Sequence, residues 1–424
     1  MMKHPASSPR SNSQTFKVIV GLVMGVSFGA ALHAYLSAYP SPHLPLWISG
    51  FNAITDLFMR LIKMIIAPLV FSTLVVGMAK MGDGNSLGRV AGKAILWFFS
   101  ASILSLLMGM ALVNGLEPGG NLHLPLPDVS AETGLDKEPQ TLQSFISHIV
   151  PKSVVEAMAQ NEILQIVVFS MFFGFACSQL GELAKPMVHS LDALGHIMLK
   201  MTGYVMRFAP FAVFAAMASV VSQQGLGVIA TYGVFLCEFY LGLAVLWLTL
   251  GFLGFIFIGK RIRALLHHIR EPMILAFGTA SSEAAYPMLM RQLSRFGCSD
   301  RITGLVLPLG YSFNLDGSMM YMTFAVLFIA QAYGIQMPLQ DQLLMLLVLL
   351  FTSKGVAGVP RASLIVITST LSMFHIPEAG LLLILGIDQI LDMGRSATNV
   401  LGNSIAATLV SRWENELSHS SDSD

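Results

Sequence analysis

The sequence predicts an all-α membrane protein whose chain crosses the bilayer several times. Of its 424 residues, 54% are hydrophobic and only 11% are charged, against roughly 25% charged residues in soluble globular proteins. Apolar runs at 18–39, 95–116, 231–258 and 376–410 reach the roughly 20 residues that a helix needs to span a bilayer. Composition and run length together therefore favour a bundle of membrane-spanning helices.

Several functional classes fit this sequence poorly. A formal net charge of zero gives no electrostatic case for binding nucleic acid. The three cysteines, Cys177, Cys237 and Cys298, lie far apart, have no metal-ligand spacing and are too few and odd in number for a disulfide framework. No Ser/His/Asp, HExxH or paired-acid arrangement occurs near the polar segments described below, so an enzyme is not expected, and neither is a cofactor.

The tails and the loop charges predict the topology. Residues 1–16 and 416–424 are polar, and we expect both to be disordered. Residues 1–16 also lack the features of a signal peptide, so the first apolar run is interpreted as a retained span. Basic residues are concentrated at 260–270, whereas 117–145 carries five acids and a single lysine. The positive-inside bias then predicts cytoplasmic termini and an even number of crossings.

Six spans are expected before residue 259, and the character of the chain changes after it. The predicted spans are 17–38, 48–80, 93–116, 150–182, 190–221 and 227–258, with the fourth interrupted near Asn161. In 259–415 the helical runs become shorter and contain Ser, Gly, Asn and Pro in apolar surroundings. Such interruptions are tolerated in a membrane only where protein or a water-filled cavity satisfies the backbone. The chain therefore divides into a six-span region, 17–258, and a site-bearing part, 259–415.

The first interruption predicts a re-entrant hairpin at about 270–298. Its tip contains Ser281, Ser282 and Glu283, and basic residues flank it on both sides. Exposed N–H groups at such a tip suit a carboxylate. An ordinary Ser/Ala-rich helix-packing site is the structural alternative.

The second and third interruptions predict a broken helix and another hairpin. In the run at about 300–333, Asn314 and Asp316 lie at membrane depth, where an ionisable residue is costly and usually functional. Their oxygens suit a hard cation, or the backbone N–H groups simply hold Asp316. At about 340–375, Gly355, Gly358 and Pro360 break the helix and predict a second re-entrant hairpin.

The last helix, predicted at about 376–412, carries a polar stripe. Asp388, Asp392, Arg395, Asn399 and Asn403 are spaced by three or four residues, which places them within an arc of about 80° on one helix face. Arginine offers a planar fork for a carboxylate, and the neighbouring Asp392 is suited to an ammonium group. The alternative is that the two acids and Arg395 neutralise one another. The stripe thus predicts a site for a small anionic solute.

Together these segments resemble the dicarboxylate/amino acid:cation symporter family, which includes the glutamate transporters. The resemblance runs from about residue 17 to residue 416 and is strongest in GYSFNLDGS (310–318), SKGVAGVP (353–360) and GIDQILDMGRSATNVLGN (386–403). It implies eight transmembrane helices, two re-entrant helical hairpins, an elevator-like movement and a homotrimer in the bilayer. It also implies a bacterial inner-membrane location.

The resemblance also implies residue roles. Arg395 matches the position that binds the substrate side-chain carboxylate, and Asp392 the position that receives an amino group. The remaining substrate positions are matched by Ser396 and Asn399 on the last helix, Ser281 and Ser282 at the first tip, and Val359 and Pro360 at the second. The cation-binding stretch is matched by Asn314 and Asp316.

Departures from the family pattern bear on the coupling ion. Asn403 stands where sodium-coupled members typically have an aspartate, and Phe98 and Ala101 stand where hydroxyl residues line another sodium site, which leaves only Ser102. We therefore prefer proton coupling, with Asp316, Glu283 or Asp388 as candidate carriers. A Na⁺ site formed by Asn314, Asp316 and Asn399 remains the alternative.

The charges on the last helix favour one substrate class. Arg395 together with Asp392 suits an acidic amino acid, glutamate or aspartate, which carries both an extra carboxylate and an ammonium. The alternative is a C4-dicarboxylate, although family members of that type usually have a small residue at the position of Asp392. An anion channel or a membrane-embedded binding protein is the alternative from another class.

Overall fold

The computed structural model describes residues 10–38, 44–81, 84–120, 150–225, 232–353, 362–385 and 387–418. Almost all of this part of the chain is helical, and its extended pairing is limited to an isolated bridge between Cys298 and Leu417. The all-α prediction agrees with this architecture.

Eight α-helices occur in the described residues up to 258. They are α1 (Arg10–Ala38), α2 (Leu44–Met81), α3 (Gly84–Leu116), α4 (Val154–Gln160), α5 (Ile163–Leu180), α6 (Lys185–Val205), α7 (Ala209–Gln224) and α8 (Gly233–Ile258). Asn161, in a left-handed conformation, separates α4 from α5, so the fourth predicted span is interrupted.

The second half of the chain forms shorter helices. They are α9 (Ile262–Thr279), α10 (Ser282–Phe296), α11 (Asp300–Phe313), α12 (Asp316–Ala332), α13 (Leu339–Thr352), α14 (Ala362–Met373), α15 (Leu381–Leu385) and α16 (Asp388–Trp413). Consecutive helices α9 and α10 pack on each other, as do α13 and α14. These two pairs lie where the hairpins were predicted.

Six helical segments of the described chain are long and apolar enough to cross a membrane. They cover 16–38, 46–79, 88–116, 163–223, 233–279 and 300–332. The segment 163–223 includes two of the predicted spans. Helix α16 falls outside this set because its polar stripe lowers its hydropathy. These apolar helices are those of a multi-pass membrane protein.

Several element boundaries differ from the predicted ones. Residues 10–16 are helical and begin α1, since extending an existing helix avoids the cost of nucleation. The span 190–221 is two helices, joined by a 3-10 turn at Met206–Phe208 next to Pro210, which cannot donate within a continuous helix. The last helix begins at Asp388 rather than 376. The first hairpin begins at Ile262 rather than 270.

The helices pack in two groups. Helices α1, α2 and α4–α7, called the scaffold below, pack mainly on one another, and α3 with α8–α16, called the core, do likewise. The α1–α7 contact is close at Gly25, where a Cβ atom would lie 2.5 Å from the carbonyl oxygen of Phe214. Helices α2 and α5 of the scaffold contact α11 of the core.

The centre of the core is formed by α12 and α16, which are buried nearly all round. By contrast, α1 and α8 present many exposed apolar side chains, among them Val23, Met24, Leu248 and Phe252. Apolar exposure of this extent is typical of a lipid-facing surface. The polar stripe of α16 is therefore enclosed by other helices rather than by lipid.

The C-terminal end of α16 is anchored to the core by polar contacts. Glu414, whose side chain is 2% exposed, pairs with Arg89 and with Lys93, each at 2.7 Å. Ser418 donates its backbone N–H to the carbonyl of Gly297 at 2.9 Å. Residues 416–418, which were predicted to belong to the C-terminal tail, therefore pack against the end of α10, which supplies hydrogen-bond partners for them. Residues 419–424 lie outside the described part.

We expect Glu414→Gln to lower the free energy of unfolding by on the order of 2 kcal/mol at neutral pH. Hydrogen bonding from Arg89 and then Lys93 lowers the pKa of the Glu414 carboxyl from 4.5 to about 2. A carboxyl with a lowered pKa stabilises the folded state above its unfolded value, and this contribution is lost as the pH falls toward 2. Chemical unfolding of the detergent-solubilised protein against pH measures the effect.

Glu182→Gln is the matched control, because this exposed carboxylate pairs only with exposed Lys185 at 2.5 Å, an arrangement worth little. Equal losses in the two variants would contradict the assigned anchoring role of Glu414.

Candidate functional site

The site is built around the break between α11 and α12. Helix α11 ends at Phe313, and Asn314 and Leu315 have non-helical backbone angles before α12 begins at Asp316. The first N–H groups of a helix have no partner within the helix. Asn399 of α16 supplies one, since its Oδ1 accepts from Gly317 N at 2.9 Å and from Ser318 N at 3.3 Å. Asn399 therefore caps α12 from another helix.

Asp316 lies in a buried amide cluster next to this break. The Asn314 amide donates to Asp316 Oδ2 at 3.1 Å and to Asn403 Oδ1 at 3.2 Å, and Ser105 Oγ donates to Asp316 Oδ1 at 3.4 Å. Among the described residues, Asn314 Oδ1 and Asn403 Nδ2 have no hydrogen-bond partner. The cluster thus holds one carboxylate and an amide oxygen available to a cation or a donor.

Two glycines allow the helices around this cluster to approach closely. A Cβ atom on Gly402 would lie 1.9 Å from Asp316 Oδ2, and one on Gly310 would lie 2.3 Å from Asn403 Oδ1. Ser102 lies beside the same break, donating to the carbonyl of Phe313 at 3.3 Å. No group of three or more His, Cys, Asp or Glu residues that could hold a metal ion occurs in the described ranges.

Arg395 is oriented by two neighbours and is 4% exposed. Its Nε donates to Asp392 Oδ1 at 2.6 Å, and its guanidinium lies 4.8 Å from the ring centroid of Tyr321. Tyr321 in turn donates to Asp388 Oδ1 at 2.9 Å. Nη1 of Arg395 is buried and has no partner among the described residues, so it is available to an anionic group.

Asp392 also accepts a hydrogen bond from Ser396 Oγ at 3.0 Å. Mutual neutralisation, the alternative considered for the stripe, therefore applies in part, because Asp392 pairs with Arg395. This pairing does not use the whole guanidinium of Arg395, because Nη1 has no partner among the described residues. The stripe brings together the predicted residues Asp392, Arg395, Ser396 and Asn399 on one face of α16.

Helix α8 supports α16 from outside. Tyr240 donates to the carbonyl of Ile390 at 2.6 Å, and Trp247 donates to Thr398 Oγ1 at 2.7 Å. The sequence reasoning did not identify these two residues or Tyr321. The available signal was an aromatic side chain with a polar atom in an otherwise apolar helix, which usually finds a hydrogen-bond partner when buried.

The tip of the first hairpin lies between α9 and α10. Ala280 is left-handed, with φ of 49°, and Ser281 caps α10 by accepting from Ala284 N at 3.3 Å. The carbonyl of Ser282 accepts from Tyr311 at 3.0 Å, and Glu283 lines a cavity beside it. The predicted residues of the second tip, Val359 and Pro360, lie outside the described part of the chain.

Comparison with known proteins identifies the family. The family model of the sodium:dicarboxylate symporter family matches residues 15–413. This chain belongs to that family. Similar proteins include the C4-dicarboxylate transport protein of Rhodospirillum rubrum, 40% identical over 97% of this chain and 92% of the relative. That of Rhizobium etli is 43% identical over 85% and 83%. The proton/sodium-glutamate symport protein of Geobacillus stearothermophilus is 38% identical over 95% and 94%.

Membership in the family confirms the resemblance and identifies the chain as a membrane symporter, with transport coupled to a cation. A channel and an enzyme are correspondingly disfavoured. Of the two substrate classes left open by the sequence, the relatives' names support C4-dicarboxylates better than acidic amino acids.

We expect Tyr321→Phe to lower the free energy of unfolding by about 1–3 kcal/mol, because it leaves the buried Asp388 without the phenol donor. Tyr286→Phe is the matched control: Tyr286 is equally buried, but its hydroxyl has no partner among the described residues. Unfolding of both purified variants measures the difference. A larger loss in Tyr286→Phe would contradict the positioning role of the Tyr321–Asp388 bond.

Proposed function

We propose that this chain is a secondary active symporter that takes up C4-dicarboxylates together with cations. The observation that carries the proposal is Arg395, held by Asp392 and Tyr321 with Nη1 unpaired and buried. An arginine fork binds a carboxylate well when it is preorganised and shielded from water. The names of the relatives support a C4-dicarboxylate as the solute that carries this carboxylate.

The substrate would bind between α16 and the two hairpin tips. Arg395 would hold one carboxylate. Ser281, Ser282 and Ser396 would supply hydroxyl or backbone donors for the other. The family resemblance assigns Val359 and Pro360, which lie outside the described residues, to the same site. Asn399 would fix the geometry by capping α12 rather than by binding the solute directly, since its oxygen already accepts two N–H groups.

Alternating access would follow an elevator mechanism in an eight-span fold with two re-entrant hairpins. The separate packing of scaffold and core supports this, because a core that packs on itself can move as a body. We further propose a homotrimer in a bacterial inner membrane with both termini cytoplasmic. The core would then carry the solute past the scaffold helices α2 and α5.

Protons are the proposed coupling ions. The cluster around Asp316 contains a single carboxylate, with an amide at Asn403. One carboxylate satisfies the charge of one monovalent cation and leaves few hard oxygen ligands for several Na⁺ ions. Asp316 is the preferred carrier because it lies at the break. Asp388 is already used to orient Tyr321. Na⁺ bound by Asn314, Asp316 and Asn399 is the competing possibility.

Acidic amino acids are a second candidate, favoured by Asp392. This carboxylate lies next to Arg395 and would accept hydrogen bonds from an ammonium group. Aspartate is itself a C4-dicarboxylate that carries an ammonium, so both candidates fit a single site.

Purified protein in proteoliposomes should accumulate labelled succinate when an inward proton gradient is imposed without Na⁺, because neutralising the carboxylates of the solute and of Asp316 requires protons. Uptake of aspartate, glutamate and succinate is compared with and without Na⁺. Arg395→Ala, which removes the carboxylate fork, should abolish uptake of all three. Accumulation under no cation gradient, or unchanged uptake by Arg395→Ala, would sink the proposal.

Asp392→Ser tests the two substrate classes against each other. It removes the ammonium acceptor while leaving Arg395 available, so succinate affinity should be retained or raised and aspartate affinity should fall about 10-fold or more, as for one lost charge-assisted hydrogen bond. Competition of each unlabelled solute against labelled succinate gives the ratio. Loss of succinate and aspartate in equal proportion would show that Asp392 acts only by holding Arg395.

A further inference from the structure

A small cavity separates the first hairpin from the scaffold. Its core side is formed by Glu283, Tyr286, Pro308 and Tyr311, and its scaffold side by Ile66, Val70 and Ile163. The scaffold side chains are aliphatic and offer no hydrogen bond. The Tyr286 hydroxyl, buried in the core wall, has no partner among the described residues. An ionisable carboxyl therefore lies at the sliding surface between core and scaffold, opposite an apolar wall.

The charges around Glu283 do not neutralise its carboxylate. Lys63 of α2 acts on it with a positive charge, and Asp392 of α16 and Glu162, which precedes α5, act with negative charges. Tyr311 of α11 and Tyr286 of α10 itself supply only neutral hydroxyls. In the described part of the chain, α6 and α9, which also pack on α10, contribute no charged group that acts on it. Since Asp392 is itself paired with Arg395, these side chains carry two positive and two negative charges and leave no net positive charge for Glu283.

The scaffold surface beside this cavity is uncharged over a long distance. Helix α2 has no charged residue in 64–79, and α5 has none in Ile163–Leu180. At 1.5 Å per residue, these stretches are about 24 and 27 Å long. A carboxylate that moved between Lys63 and Lys80 of α2 would meet no counter-ion on the described parts of α2 and α5. The protonated acid carries no charge and avoids this cost.

We propose that Glu283 is a pH gate for the movement of the core: its carboxyl must be protonated before the core slides along α2 and α5. The inference rests on the proposed elevator mechanism and adds a regulatory step to it. It also assigns Glu283 a role different from that of a coupling-proton carrier, the role considered for it from the sequence.

Protonation of Glu283 controls the rate at which the core moves and not the extent to which the solute is accumulated. The same carboxyl passes the same apolar wall when the core is loaded and when it returns empty, so the proton stays on Glu283 in both directions. No net proton crosses the membrane through this residue. Its protonation therefore sets how fast the core moves, while the cation bound near Asp316 sets how far the solute is concentrated.

Counterflow of labelled substrate in proteoliposomes, at equal pH on both sides, tests the gate. The substrate is whichever of succinate or aspartate the wild type accumulates. A rate that requires one bound proton falls about tenfold per pH unit once that group ionises. The log rate should therefore fall less steeply with pH in Glu283→Gln than in the wild type, by one log unit per pH unit between pH 5.5 and 8.5. The accumulation ratio at a fixed cation gradient should be the same in both.

Glu182→Gln, an exposed acid on the scaffold, is the control and should keep the wild-type slope. An equal slope in Glu283→Gln and the wild type would overturn the gate, and a changed accumulation ratio would overturn the assignment to rate alone. Both results would leave dicarboxylate symport intact. Absence of cation-driven uptake by the wild type would instead overturn the proposed function.

Tyr286→Phe provides a second test of the gate that does not depend on how well Glu283→Gln folds. The Tyr286 hydroxyl lines the same cavity and is able to donate to the ionised carboxylate. Without it the neutral acid is favoured, so the pH profile of counterflow should shift to higher pH. A shift to lower pH would overturn the gate.

Discussion

The constraint on which this structure depends is the interrupted backbone between α11 and α12. In a membrane, unpaired N–H and C=O groups are expensive, so a broken helix persists only where other protein groups satisfy it. Asn399 does this by accepting from Gly317 and Ser318. The break, in turn, gives Asp316 a place in the centre of the core that a continuous helix would have filled with apolar side chains.

Helix α16 consequently has two roles, and the residues that carry them lie on one face of the helix. Near its middle, Asn399 and Asn403 complete the broken helix, and one turn before them Asp392 and Arg395 form an ion pair at the proposed anion site. Because both roles use residues three or four apart, the proposed solute and cation sites lie on the same helix. A shift of α16 would disturb both sites together, which gives a physical basis for coupling. Tyr240 and Trp247 of α8 limit such a shift.

The contact between core and scaffold follows a different rule. Two surfaces that slide past each other should fit closely and form few hydrogen bonds or ion pairs. The aliphatic wall formed by Ile66, Val70 and Ile163 meets that requirement. Glu283 is the exception on the core side. Polar groups are thus concentrated inside the core, in the amide cluster around Asp316 and on the stripe around Arg395, and are sparse at its boundary with the scaffold.

The sequence by itself determined the helical membrane class, the two helix pairs at the hairpins, the break near Asn314 and the shared face of Asp392, Arg395 and Asn399. Hydropathy, helix breakers and the 3.6-residue period are local properties, and they are readable without tertiary contacts. Only the tertiary structure decided that Asn399 caps α12, that Tyr321 connects Asp388 to Arg395, and that Glu283 faces α2 and α5. It also decided that residues 10–16 are helical and that residues 416–418 pack against the end of α10. Each of these depends on a partner distant in sequence, such as Gly297 for Ser418, and no local pattern encodes which distant residue will be within hydrogen-bonding distance.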